Sequence, residues 1–186
     1  MSGALVAVVG PSGAGKDTLM EAARERLVDD PSFVFLRRVI TRPEGAGGED
    51  HQAMTRGAFL KARDAGFFAL SWDAHGLLYG IPRDPLETAL DDRQVAVANL
   101  SRHALGEAAK RYPLVVLSVT APLAVRARRL AARGRETHDQ VVARLSREAG
   151  LPLDLDVREV LNTGSIEEGA EAMVAVLRGL TEKARA

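Results

Sequence analysis

Nine residues constrain this chain more than any others: Gly10, Pro11, Ser12, Gly13, Ala14, Gly15, Lys16, Asp17 and Thr18 in succession. They follow the apolar run Leu5 to Val9 and precede a helical pattern with Leu19, Ala23 and Leu27 on one stripe. Through Lys16 the stretch fits G-x-x-x-x-G-K, the pattern of a phosphate cradle. Glycines at 10, 13 and 15 let the backbone turn sharply and bring N–H groups against phosphate oxygens, and the next helix starts with its positive dipole end facing the same anion. Lys16 adds a mobile charge for the β- and γ-phosphates of a nucleotide. A plain glycine turn between strand and helix requires neither the lysine nor this spacing.

One position departs from the pattern. A Ser or Thr hydroxyl that coordinates Mg²⁺ is expected after the lysine, but Asp17 stands there, with Thr18 displaced by one. Either Asp17 is a metal ligand, its negative charge offset by a cation between it and the triphosphate, or it occupies a first helical turn where the dipole favours acids.

The chain's 186 residues suffice for one well-cored domain and not for two. Basic and acidic residues balance at 25 each, so net charge calls for neither nucleic acid nor an anionic membrane as partner. Only four of the basic residues are lysines, which leaves arginine, the better bidentate phosphate clamp, to do most of the cationic work. The lack of cysteine excludes thiol chemistry and fits a reducing cytoplasm; no basic leader or membrane-length apolar run appears, and a cytoplasmic location is expected.

Continuous apolar runs read as strands at Leu5 to Val9, Phe33 to Ile40, Gln94 to Ala98 and Leu114 to Val119, with shorter strands at Phe67 to Ser71 and Val157 to Leu161. Helices are expected from Lys16 to about Val28, Ala58 to Ala65, Pro85 to Leu90 with Asp84 as N-cap, Ser101 to Lys110 and Pro122 to Ala132. Capping boxes at Thr137–Gln140 and Ser165–Glu168 mark two more, the last ending near Leu180. Strands alternating with helices predict an α/β fold, a parallel sheet flanked by helices, with ligands at the carboxyl ends of the strands.

With these segments in order, the chain resembles the guanylate kinase group of P-loop phosphotransferases. Gly10 to Lys16 is similar to its ATP loop, and Arg38 to Pro43 to its acceptor-phosphate segment. Trp72 with Leu77 to Gly80 resembles the end of its small acceptor-binding subdomain, Arg129 to Thr137 with Arg144 its lid, and Asn162 a position lining its adenine site. The resemblance implies a nucleoside-monophosphate-kinase-like core at 1–40, 91–132 and 150–186, an acceptor-binding subdomain at about 41–90 and a lid at about 133–149. It also implies ATP and Mg²⁺ as cofactors: Gly10 to Thr18, Arg129 and Asn162 hold the nucleotide, Asp17 the metal, and Lys16, Arg133 and Arg144 act on the phosphoryl in transit. Arg129 and Arg133, an i, i+4 pair, would share one helical face or, alternatively, simply line a solvated one. Arg38, Arg42, His51, Ser71, Tyr79 and Asn99 would meet the acceptor, with His51 falling where the group carries a phosphate-binding Tyr.

Departures from that group matter as much. The Glu that reads guanine is replaced by Ser71, the stretch Val95 to Asn99 lacks the assisting Asp, and Gly45 stands where a second arginine belongs. A site built to hydrogen-bond a base discriminates by about 10⁴-fold or more when those partners are present, so guanine is not the expected acceptor. Asp in the Ser/Thr place together with a degraded base site is similar to the ribose 1,5-bisphosphate phosphokinase family of bacterial phosphonate metabolism. That resemblance implies transfer of the γ-phosphoryl of ATP to ribose 1,5-bisphosphate, giving 5-phosphoribosyl 1-diphosphate (PRPP) and ADP. Two other readings remain at this point: a nucleoside monophosphate kinase, and a guanylate-kinase-like interaction module without activity.

Overall fold

The computed structural model describes residues 3–45, 49–131 and 154–185. Five parallel strands form the main sheet: β1 (Ala4–Val9), β2 (Phe33–Phe35), β7 (Val95–Asn99), β8 (Leu114–Thr120) and β9 (Val157–Leu161), in the order β2-β7-β1-β8-β9. β1 is central, and its side chains from Leu5 to Val9 are wholly buried. Alternation along the strand divides them between two cores. Leu5, Ala7 and Val9 pack with Leu86 and Ala89 of α3 (Arg83–Asp91) and with Leu105 and Ala108 of α4 (Leu105–Arg111). Val6 and Val8 pack with Leu19 and Ala23 of α1 (Lys16–Arg26) and with Met173 and Leu177 of α6 (Ile166–Arg185). Each such aliphatic side chain gains roughly 1.5–3 kcal/mol from burial, which explains why the strand reads as an unbroken apolar run.

A second, four-stranded sheet has the order β4-β3-β6-β5, from β3 (Val39–Ile40), β4 (Gln52–Ala53), β5 (Phe68–Ala74) and β6 (Leu77–Pro82). The helix α2 (Arg56–Asp64) covers one face of it, where Phe59 stacks on Phe68 with ring centroids 4.3 Å apart, and Thr55 caps it by accepting the Ala58 N–H. The β5–β6 hairpin closes through His75 and Gly76, both at positive φ (52° and 76°), as a two-residue turn matched to the right-handed twist requires.

The Phe33 to Ile40 run, expected as one strand, is two. After Leu36 donates its N–H to Val97, the chain leaves the main sheet, passes Arg37 and Arg38, and joins the second sheet at Val39. Asp84 is not an N-cap either, because α3 begins at Arg83, whose backbone N–H donates to Phe67 and whose guanidinium donates to the carbonyls of Gly66 and Phe68. Ser101 caps a short 3₁₀ turn (Arg102–Ala104) that precedes α4. The Ser165–Glu168 box forms as expected, each backbone N–H meeting the other's side chain, and α6 runs past Leu180 to Arg185. The helix α5 (Leu123–Ala131) follows Pro122. The Thr137–Gln140 box, Arg133, Arg144 and the lid expected at about 133–149 lie outside the described residues.

Candidate active site

The loop after β1 surrounds a cleft of about 270 Å³ lined by Gly10 to Gly13, Gly15 to Thr18 and Leu130. Gly15 is the N-cap of α1 at φ 83°, and Gly13 has φ 81°, both in the left-handed region that side chains resist. A Cβ on Gly10 would fall 2.5 Å from the Val119 carbonyl oxygen, so that position tolerates glycine alone. The loop's carbonyls are held from behind. Arg126 Nε donates to Ser12 at 3.0 Å, while Asn162 Nδ2 and Arg129 Nη1 donate to Ala14 at 2.7 and 3.3 Å. With those acceptors satisfied on one side, the loop's N–H groups and the start of α1 are left to meet an anion on the other. Arg126, nearly buried, escaped sequence reasoning because one more arginine in an arginine-rich helix carries no signal.

In front of the loop runs a chain of polar contacts between the two sheets. Lys16 Nζ donates to Asp17 Oδ1 at 2.7 Å. Asn99, buried at the end of β7, gives its amide Nδ2 to Asp17 Oδ1 at 2.8 Å and to Glu49 Oε2 at 3.1 Å. Glu49 in turn accepts Arg38 Nε at 2.8 Å on Oε2, and Arg38 Nη2 on Oε1. The Arg38 guanidinium also sits over the rings of Tyr79 and Trp72, 5.1 and 5.9 Å from their centroids. Those rings stack at 5.6 Å and 6°.

Arg42 and His51 adjoin this chain. His51 is 3% exposed, with Nδ1 3.1 Å from the Glu49 carbonyl and Nε2 3.1 Å from the Arg42 carbonyl. It bridges the backbone of Arg42 and Glu49 and so fixes one against the other. Arg42 Nη2 lies 3.4 Å from His51 Nδ1, and Arg42 Nε is buried with no hydrogen-bond partner among the described residues.

Ser71 lies apart from these residues. It pairs with Gly80 across the hairpin, while Trp72 pairs with Tyr79. Since neighbouring residues of a strand point to opposite faces, Trp72 shares the face of Tyr79 and Arg38, and Ser71 turns to the other. Thus Arg38, Arg42, Tyr79 and Asn99 converge with Trp72, Ser71 does not, and Glu49 joins them unforeseen. The sequence spacing around Trp72 held no sign of this, because a single step of hairpin register decides it.

A phosphate-cradling loop, linked through Asp17, Asn99 and Glu49 to an arginine of a second small sheet and carried on a parallel sheet of this order, defines a P-loop kinase of the guanylate kinase type. The guanylate kinase from Anaplasma phagocytophilum has the same fold, with a TM-score of 0.67 at 20% identity over 96% of this chain and 86% of that one. Among curated proteins, ribose 1,5-bisphosphate phosphokinase PhnN of Rhizobium etli is 49% identical over 183 residues, 96% of this chain and 91% of its own. PhnN of Methylobacterium radiotolerans is 46% identical over 179 residues, covering 96% and 99%. The chain belongs to the ribose 1,5-bisphosphate phosphokinase family. No family model matches it.

Proposed function

We propose that this protein transfers the γ-phosphoryl group of ATP to the C1 phosphate of ribose 1,5-bisphosphate, forming PRPP and ADP. One P–O bond forms at an oxygen of the acceptor phosphate and the bond between the β,γ-bridging oxygen and the γ-phosphorus breaks. The observation that carries this reading is the run of polar contacts from Lys16 and Asp17 of the glycine loop through Asn99 and Glu49 to Arg38, which brings the arginine of the second sheet to the phosphate cradle. Family membership supports it over a nucleoside monophosphate kinase or an inactive interaction module.

An acceptor that is a phosphate monoester, with a second pKa of about 6, is already an anion at neutral pH and needs no general base. The protein's task is then to position two polyanions and to offset charge that spreads over the moving phosphoryl. The loop N–H groups and Lys16 hold the β- and γ-phosphates. Asn162 and Arg129 keep the loop in the conformation that presents them. Arg42 and Arg38 hold the acceptor, and Arg133 and Arg144 belong to the same machinery by their place in the sequence.

Asp17 is a hard carboxylate at the mouth of the cradle, and Mg²⁺ is commonly held by one or two carboxylates together with substrate phosphates, so this donor fits the ion. Bound there, Mg²⁺ would neutralise phosphate charge. No helix among the described residues is long and apolar enough to cross a membrane, and a small phosphosugar and ATP are the partners this site suits.

A coupled assay for ADP, run with ribose 1,5-bisphosphate, GMP and AMP as acceptors, tests the reading. Rapid ADP release and PRPP formation with the pentose bisphosphate, and little with either nucleotide, is the expected result. Preference for a nucleotide would overturn it.

A further inference from the structure

Glu49 is out of place in a site for anions. The walls around the acceptor cleft carry Arg38 and Arg42, yet this carboxylate, only 17% exposed, sits among them and neutralises Arg38 with a bidentate pair. A partly buried charge of the wrong sign repels a bisphosphate, and removing it would strengthen the field that attracts one. Its presence needs a donor to accept. A pentose bisphosphate near neutral pH has just one kind of donor beyond its phosphates, the ring hydroxyls.

The carboxylate is also built to stay where it is. Arg38 Nε and Asn99 Nδ2 both donate to Oε2, Arg38 Nη2 donates to Oε1, and among the described residues one of the four carboxylate lone-pair positions is thereby left over, on Oε1. Asn99 is buried, and its other amide proton is committed to Asp17, so the position of Glu49 is referred directly to the ATP loop. Beside it the stacked rings of Trp72 and Tyr79 lie under the Arg38 guanidinium and hold in place the arginine that holds Glu49. Carboxylates at nucleotide sites read ribose hydroxyls by the same chemistry.

We propose that Glu49 is the hydroxyl-reading residue of the acceptor site, held by Asn99 and Arg38 so that its free lone pair takes a hydrogen bond from the ribose 2- or 3-hydroxyl. The proposal rests on ribose 1,5-bisphosphate being the acceptor. Glu49 thereby selects ribose over deoxyribose, a distinction the phosphate-binding arginines cannot make.

The test measures kcat/KM for ribose 1,5-bisphosphate and for its 2-deoxy and 3-deoxy analogues, with the wild type, Glu49→Gln and Glu49→Ala, each checked for folding by its melting curve. A hydrogen bond to a charged group corresponds to about 10- to 100-fold in discrimination, so the wild type should prefer ribose over at least one analogue by that factor. In Glu49→Ala the ratio should fall to within about threefold, with Glu49→Gln between the two. Were Glu49 only a brace for Arg38, its loss would slow all three sugars by one common factor, and an unchanged ratio in either folded variant overturns the proposal. A wild type without preference overturns it too. A wild type inactive on every pentose bisphosphate refutes the acceptor assignment itself, a result recognisable before any variant is made.

Discussion

Asn162 reaches from beyond β9 to the ATP loop and donates its side-chain amide to the Ala14 carbonyl at 2.7 Å, although the two residues are separated by most of the chain. The amide nitrogen would lie 2.5 Å from a Cβ placed on Gly15. Gly15→Ala must therefore push Asn162 off Ala14 while forcing an alanine to φ 83°, a conformation that costs roughly 1–2 kcal/mol by itself. The variant should melt at lower temperature and lose most of its ATP affinity. Calorimetric titration with ATP checks this, and wild-type affinity would mean that the loop does not need the clamp.

Lys16 donates its side-chain ammonium to neighbouring Asp17, and its side chain takes no part in either core. Lys16→Ala should leave the melting temperature near that of the wild type and lower kcat by about 10²–10³-fold, the usual cost of removing one charge-stabilising donor from a reacting centre. Full turnover in the folded variant would refute the loop's assignment.

Hairpin register makes an uncommon prediction about adjacent positions. Ser71→Glu, on the face away from Arg38, should change kcat/KM for ribose 1,5-bisphosphate by less than about threefold, since an exposed charge is screened over such distances. Trp72→Ala removes a ring stacked on Tyr79 beneath the Arg38 guanidinium, and should raise the acceptor KM by about tenfold. If the two effects are reversed, the acceptor lies on the other side of the second sheet.

Tyr112 supplies a prediction about alkaline pH. Burial pushes its hydroxyl above the ordinary tyrosine value, opposed by the nearby charge of Arg111 and reinforced by Glu87. With the folded pKa raised, the unfolded chain loses its proton first. The stability contributed is thus present below about pH 10 and is lost as pH rises through the folded value. Urea midpoints measured from about pH 9 to 11 should fall more steeply for the wild type than for Tyr112→Phe. Parallel curves would show that the tyrosine does not titrate with unfolding.

How far the site could be read from the sequence depends on whether its information is local. The cradle is contiguous, so Gly10 to Thr18 reveal both their conformation and their ligand class, and the buried run before them shows the sheet they emerge from. Glu49 and Asn99, fifty positions apart, meet through one amide proton, and no pattern in either stretch announces it. Ser71 and Trp72 are indistinguishable by spacing because a register shift of one exchanges their faces. Hydrophobic periodicity likewise shows that Phe33 to Ile40 is extended, but not that it changes sheets midway. The strand β6 was hidden by Gly80 and Pro82, both ordinarily weak strand formers, although Gly80 is needed there because a Cβ would run into the Phe68 ring at 2.5 Å.

The passage from Leu36 to Val39 joins the two sheets by a very short run of backbone, and the arginines of that run are its only interior residues. Such a short link has little slack. Any tilt of the smaller sheet against the larger is taken up by the dihedrals of Arg37 and Arg38, and swings the Arg38 guanidinium through an arc with the aromatic wall it lies on. In mechanical terms the group proposed to seize the acceptor is mounted on the axle and not on the wheel, so its grip and the angle between the sheets would change together.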